Sequence, residues 1–190
     1  MRIEDLVVQL STDPFNPELN FKVAQAYEML NQTASAIAFY LRTAEHGYDT
    51  HQDIVYSSLL RMSHCFHDQK DRVNTVSNVL LQAITYLPDR PEAYLLMSHF
   101  YERERMFQEA YTWAELGLQK CRGFKRIPLT IDTGYHGEYC FEFQKAVNGW
   151  WIGRKEEAIK LFKKLDTLKY MTDDYKTLVK NNLEMINANV

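Results

Sequence analysis

The chain has 190 residues, 46% apolar and 13% aromatic, enough for one domain or a short repeat array and too apolar for a disordered chain. A net charge of −3 and an isoelectric point near 6.1 argue against a broad phosphate-backbone surface, and no stretch approaches the roughly 18 uninterrupted apolar residues of a membrane span. Seven glycines and five prolines point to helix, and three scattered cysteines (Cys65, Cys121, Cys140) read as reduced thiols of a cytoplasmic protein.

The first ten residues, MRIEDLVVQL, carry charges inside a short apolar run and are not expected to act as a secretory signal. LVVQLSTDP, closing at Pro14, has the pattern of a helix ending a repeat. From Pro17, PELNFKVAQAYEMLNQTASAIAFYLRTAEHG shows helical periodicity twice, broken by the polar turn Asn31-Gln32. A looser copy follows over residues 56–90. It has Leu59, Met62-Ser63 and Phe66 before a turn at His67 to Arg72, then Val76, Leu80 and Ala83, and closes at Pro88.

The next stretch, PEAYLLMSHFYERERMFQEAYTWAELGL from Pro91, superposes on the first copy at a constant offset of 74 residues. Val23-Ala24 falls on Met97-Ser98, Tyr27 on Tyr101, Ala36 on Ala110 and Phe39 on Trp113. CRGFKRIPLTIDTGYHGEY, residues 121–139, breaks the pattern. With Pro128, Gly134 and Gly137 and no helical period, it reads as a long connection over 122–138 with an extended stretch at Ile127–Ile131. YCFEFQKAVNGWWIGRKEEAIKLFKKL then returns to the repeat, with Ala146, Gly149, Gly153, Ala158 and Phe162 in the corresponding places. Asp173-Asp174 opens a last apolar pattern, which places a capping helix at about 173–188 with acidic residues at its positive end.

The small residues let two helices approach closely and the bulky ones fill the space around each crossing, so this spacing serves packing and not chemistry. It resembles the tetratricopeptide repeat, whose period is about 34 residues with small residues at these places. The resemblance covers repeats at about 17–50, 56–90, 91–121 and 139–170. It implies one all-α domain over 1–190, a right-handed superhelical solenoid of about four helix-turn-helix repeats. PEAYLLMSHFYERERMFQEAYTWAELGL, followed by PLTID and WIGRKEEAI, also resembles a helical region found beside glycosyltransferase domains in bacterial and viral proteins, over about residues 88–165. That second resemblance implies association with sugar transfer and not catalysis, since the chain has neither an alternating strand–helix pattern nor an Asp-x-Asp metal site.

In solenoids of this kind the first helix of each repeat lines a concave groove. Aligning the repeats puts Phe21, Lys22, Gln25, Leu60, Arg61, His64, His67, Leu95, His99, Arg103, Gln144, Trp150 and Trp151 at or near that groove. Aromatic area together with Arg and Lys suits an extended peptide or a partner helix. The expected partner is therefore a protein or peptide, with no nucleic acid and no membrane insertion, and with self-association left open. Asparagines of the lysine–asparagine clamp that some repeat proteins use for a C-terminal carboxylate are missing at the matching places.

Catalysis and cofactors are not expected. His64 and His67 lie one turn apart with Cys65 between them, but zinc needs three or four ligands and Cys65 points to another face. Nothing basic is positioned to activate Cys121 or Cys140, and no nucleophile–base pair is visible. Adjacent Trp150 and Trp151 cannot share one face, so one is expected in the core and the other at a groove or interface.

Overall fold

The computed structural model describes residues 2–125 and 127–188. Met1, Arg126, Asn189 and Val190, which the expected 1–190 domain includes, lie outside the described residues; so does the one position of the 122–138 connection that is Arg126. The described residues form ten α-helices and no strand. They are α1 (Ile3–Thr12), α2 (Pro17–Met29), α3 (Thr33–Gly47), α4 (Gln52–Asp68), α5 (Val73–Tyr86), α6 (Glu92–Arg103), α7 (Phe107–Lys120), α8 (Tyr139–Trp151), α9 (Lys155–Asp166) and α10 (Asp173–Ala188). They fall into two compact units. The first holds residues 1–88 with Ile127–Asp132, and the second holds 89–126 with 133–190.

In the first unit α2 starts where Asn16 accepts the Leu19 amide (3.0 Å) and Pro17 takes the first helical position, where its missing N–H costs nothing. α2 packs on α3, α3 on α4 and α4 on α5, while α1 closes the open side of α2 by setting Leu6 and Leu10 against Val23. In the second unit the order is α6 on α7, α7 on α8, α8 on α9 and α9 on α10.

The small residues sit at the crossings. Ala24 and Ala36, and likewise Ala146 and Ala158, are fully buried. At the α6–α7 crossing the Ser98 hydroxyl, aimed at the Ala110 carbonyl oxygen (2.8 Å), adds a hydrogen bond to the contact. Three of the four turns inside the pairs share one geometry. Asn31, Arg105 and Gly153 have φ of 56°, 60° and 86°, and the next amide reaches back to Tyr27, Tyr101 and Gly149 oxygen at 2.9, 2.8 and 2.8 Å. This is the Schellman closure of a helix, with the left-handed residue that glycine fits best. The α4–α5 turn differs because Ser63 and Val76 are one residue further apart than the small pairs elsewhere. It takes up the extra residue by placing both Lys70 and Asp71 in the left-handed region.

Gly117 of α7 makes room for α8, since a Cβ there would overlap the fully buried Phe141 ring. Gly117→Ala should therefore destabilise the chain by about 1–3 kcal/mol of overpacking, outweighing the roughly 1 kcal/mol that alanine gains in helix propensity. Urea unfolding checks it; an equal or higher midpoint for the variant would mean that α7 and α8 do not meet as described.

Candidate protein-binding face

On the first unit, α2, the α3–α4 turn and the start of α4 enclose a cleft of about 690 Å³. It gathers Phe21, Lys22 and Gln25, three of the residues expected at a groove. The lining also includes Glu18, which the 74-residue offset places on Glu92, and residues with no repeat signal: the run Asp49 to Ile54, and Thr130 from the irregular connection. The polar α3–α4 turn and the prolyl segment around Thr130 are visible in the sequence only as interruptions of the period. Lys22 lines this cleft together with the carboxylates of Glu18, Asp49 and Asp53, and His51 lies 3.9 Å from Glu18.

The other expected groove residues take different places. Leu60 and Leu95 are 1% and 0% exposed and so belong to the core, which corrects their assignment to an accessible surface. Each lies on the side of its helix that packs inward, a distinction helical periodicity alone does not make. Phe21 is also largely buried, with its ring 5.7 Å from Tyr40, and reaches the cleft only as its floor. His64 and His67 are half-buried on α4. Among the described residues no group of three His, Cys, Asp or Glu comes together as a metal site.

Arg61 is held by a partner. Its guanidinium grips the Glu28 carboxylate with two bonds, one of 3.0 Å from Nε, and thereby ties α4 to α2. Tyr40 donates to the same carboxylate (2.6 Å) from α3. Burial, reinforced by Glu28, holds the Tyr40 hydroxyl protonated and pushes the Cys65 thiol up to about 12.

The second unit repeats this link with a neutral partner. Glu102 stands where Glu28 stands in the first repeat, and Gln144 where Arg61 stands. Gln144, 4% exposed, stands beside Glu102, and its Oε1 accepts from Asn148 Nδ2 (3.1 Å) and lies 3.2 Å from Ser98 Oγ. Gln144 is therefore an internal strut and not a groove residue, a second correction. Burial raises the Glu102 carboxyl against the pull of Gln144 and Arg103 beside it. Burial, with Arg103 alongside, lowers His99 to about 4. From α10, Tyr175 packs edge-on against Tyr139 and Phe143, each with ring centres 5.2 Å away. Arg103 and Trp151 are exposed, and Trp151 stacks on Phe107 (5.4 Å). Trp150 is half-buried with the Lys155 ammonium over its ring (5.0 Å), so neither tryptophan is a core residue.

Beyond the helix faces, Tyr111 of α7 joins Glu157 of α9 (3.0 Å) and Arg154 (3.1 Å), and Lys145 of α8 bridges Glu115 and Glu157 at 3.2 and 3.3 Å. Cys121 is raised to about 12 and Cys140 is also raised, both by burial first. All three cysteines are free, buried thiols. Among the described residues no helix is long and apolar enough to cross a membrane.

Two outcomes test these assignments. Arg61→Ala leaves Glu28 and Tyr40 without their cation and should cost about 1.5–3 kcal/mol, whereas Arg61→Gln, copying the second unit, should recover much of that loss in urea unfolding. For His99, the unfolded side chain titrates near 6.5 and the folded one near 4, so the unfolded state takes up the proton first. The stabilising effect is complete above the higher value and is lost as pH falls between the two. Between pH 7 and pH 5 His99 should account for about 1–2 kcal/mol of lost stability, and His99→Gln should flatten that part of the profile. An identical pH profile in the variant would show that His99 is solvated.

No family model matches this chain, and neither does any curated protein. Solved structures do match. MamA from Desulfovibrio magneticus RS-1 superposes with a TM-score of 0.65 at 12% identity, covering 90% of this chain and 85% of its own. PilW, a widely conserved type IV pilus biogenesis factor, gives 0.67 at 14% identity over 93% of this chain and 73% of its own. A thermophilic TPR protein of Thermus thermophilus gives 0.59 at 14% identity over 95% and 88%. Helix pairs crossing at small residues and closed by left-handed turns, together with these superpositions, give one result: the chain has the tetratricopeptide-repeat fold.

Proposed function

We propose that the chain is a non-catalytic scaffold that holds a protein or peptide partner on the first-helix face of its first unit. The observation that carries this reading is the cleft of about 690 Å³ beside α2 and α4, with Phe21 as an aromatic floor and Lys22 and Gln25 as adaptable polar contacts. Such a site binds by burying area and supplying a few charge-assisted bonds. The lining brings Lys22 together with Glu18, Asp49 and Asp53, so charge-assisted bonds of either sign are within its reach. Proteins of this fold include a pilus biogenesis factor, which is consistent with a role in assembly. The buried, protonated thiols favour a reducing, cytoplasmic setting and offer no activated nucleophile.

A partner captured from native extract and titrated by calorimetry tests the site. Lys22→Ala and Gln25→Ala should each weaken it by about 1–3 kcal/mol, while Gln108→Ala and Lys160→Ala, exposed on α7 and α9, should stay within about 0.5 kcal/mol. Losses confined to the second set would move the site to the outer helices. A glycosyltransferase among the captured proteins would add the sugar-transfer context that residues 88–165 resemble.

A further inference from the structure

The connection between α7 and α8 has its ends and its middle in different units. Its ends belong to the second unit: Gly123 N–H donates to Glu138 Oε1 (2.7 Å), Arg90 lies over the Phe124 ring (5.5 Å), and Tyr135 is buried against Phe141 (5.7 Å). Its middle, Ile127–Asp132, is part of the first unit. There it has no regular secondary structure, and from Pro128 onward its burial alternates. Leu129 and Ile131 are half-buried, while Pro128, Thr130 and Asp132 are exposed. The alternation lays one side of the segment on a surface, and the chain bends at Thr130 and Ile131. The surface includes α4, where the fully buried Ser57 accepts a hydrogen bond from Thr130 Oγ1 (3.3 Å), and Thr130 also forms one wall of the cleft beside α2. Pro128 fixes its own φ and biases Ile127 toward extended backbone, so little conformational freedom is lost when the segment is laid down.

We propose that the first-helix face of the first unit is a peptide site, and that Ile127–Asp132 is its resident ligand in cis. This rests on the protein-binding reading of that face given above, and it specifies the partner. The partner is a short segment with apolar residues two apart around a hydroxyl residue and next to a proline, as in Ile-Pro-Leu-Thr-Ile-Asp. A partner of that kind must displace the resident segment. Tethering on both sides supplies an effective concentration on the order of 1 mM. A site with an intrinsic Kd of about 0.1 mM is then about nine-tenths filled, and a free peptide binds about tenfold more weakly than to the vacated site.

The test uses the full chain and a fluorescein-labelled peptide of residues 125–134 (KRIPLTIDTG), read by fluorescence anisotropy. Replacing residues 127–132 with Gly-Ser-Gly-Ser-Gly-Ser should raise the peptide's affinity at least about tenfold over the unaltered chain. A scrambled peptide, or one with the positions of Leu129 and Ile131 changed to Asp, should not bind. The double variant Leu129→Asp/Ile131→Asp in the full chain provides the same unlocking without replacing the segment and should show the same gain. No gain in either variant, with helical circular dichroism retained, overturns the proposal, as does equal binding of the scrambled peptide. A captured partner that binds altered and unaltered chains equally but is lost on Lys22→Ala would sink cis occupancy while leaving the scaffold reading intact. A partner indifferent to both changes would remove both readings.

Discussion

Two helices pack with their backbones close together only where neither presents a large side chain at the crossing. Here that constraint is met by Ala24 with Ala36, Ser98 with Ala110 and Ala146 with Ala158, all fully buried. Once these crossings are fixed, much else falls into register. The left-handed residue of the turn comes seven positions after the small residue of the first helix, at Asn31, Arg105 and Gly153. The acid that links first helices comes four positions after it, at Glu28 and Glu102, and its partner two positions before the small residue of the next first helix, at Arg61 and Gln144. The α4–α5 pair shows the rule by its exception, where one added residue between Ser63 and Val76 is absorbed in a turn with two left-handed residues.

The helix pairs are legible in the sequence because the residues that make a crossing possible are the ones that repeat. The groove is legible only in part. Phe21, Lys22 and Gln25 do line one cleft. Leu60, Leu95 and Gln144 share the same repeat phase but point into neighbouring helices, and a helical period cannot separate those two kinds of inward direction. The Glu28–Arg61 link joins residues 33 positions apart, and nothing local to either one announces it. Thr130 is the hardest to foresee, because where an aperiodic segment lies is decided by what it touches and not by its own pattern.

The polar interior of the chain serves architecture. Thiols raised by burial, a histidine held neutral and carboxylates engaged by Arg61, Gln144 or Lys145 are arranged to hold helices together. The polar groups of the cleft gather around α2, the α3–α4 turn and the segment laid beside them, on surface that the packing leaves over. That division is expected of a repeat whose helices are mutually buried and whose connections are free to vary.

The different partners of Glu28 and Glu102 make the two units respond differently to heat. Removing an ion pair from water costs less as temperature rises, because the hydration of charged groups carries a strongly negative entropy. The Glu28–Arg61 link gains from that effect through both of its charges, whereas only one member of Glu102–Gln144 can carry a charge. Warming therefore favours the inner-helix link of the first unit over that of the second, and the difference is encoded at one repeat position, arginine in α4 and glutamine in α8.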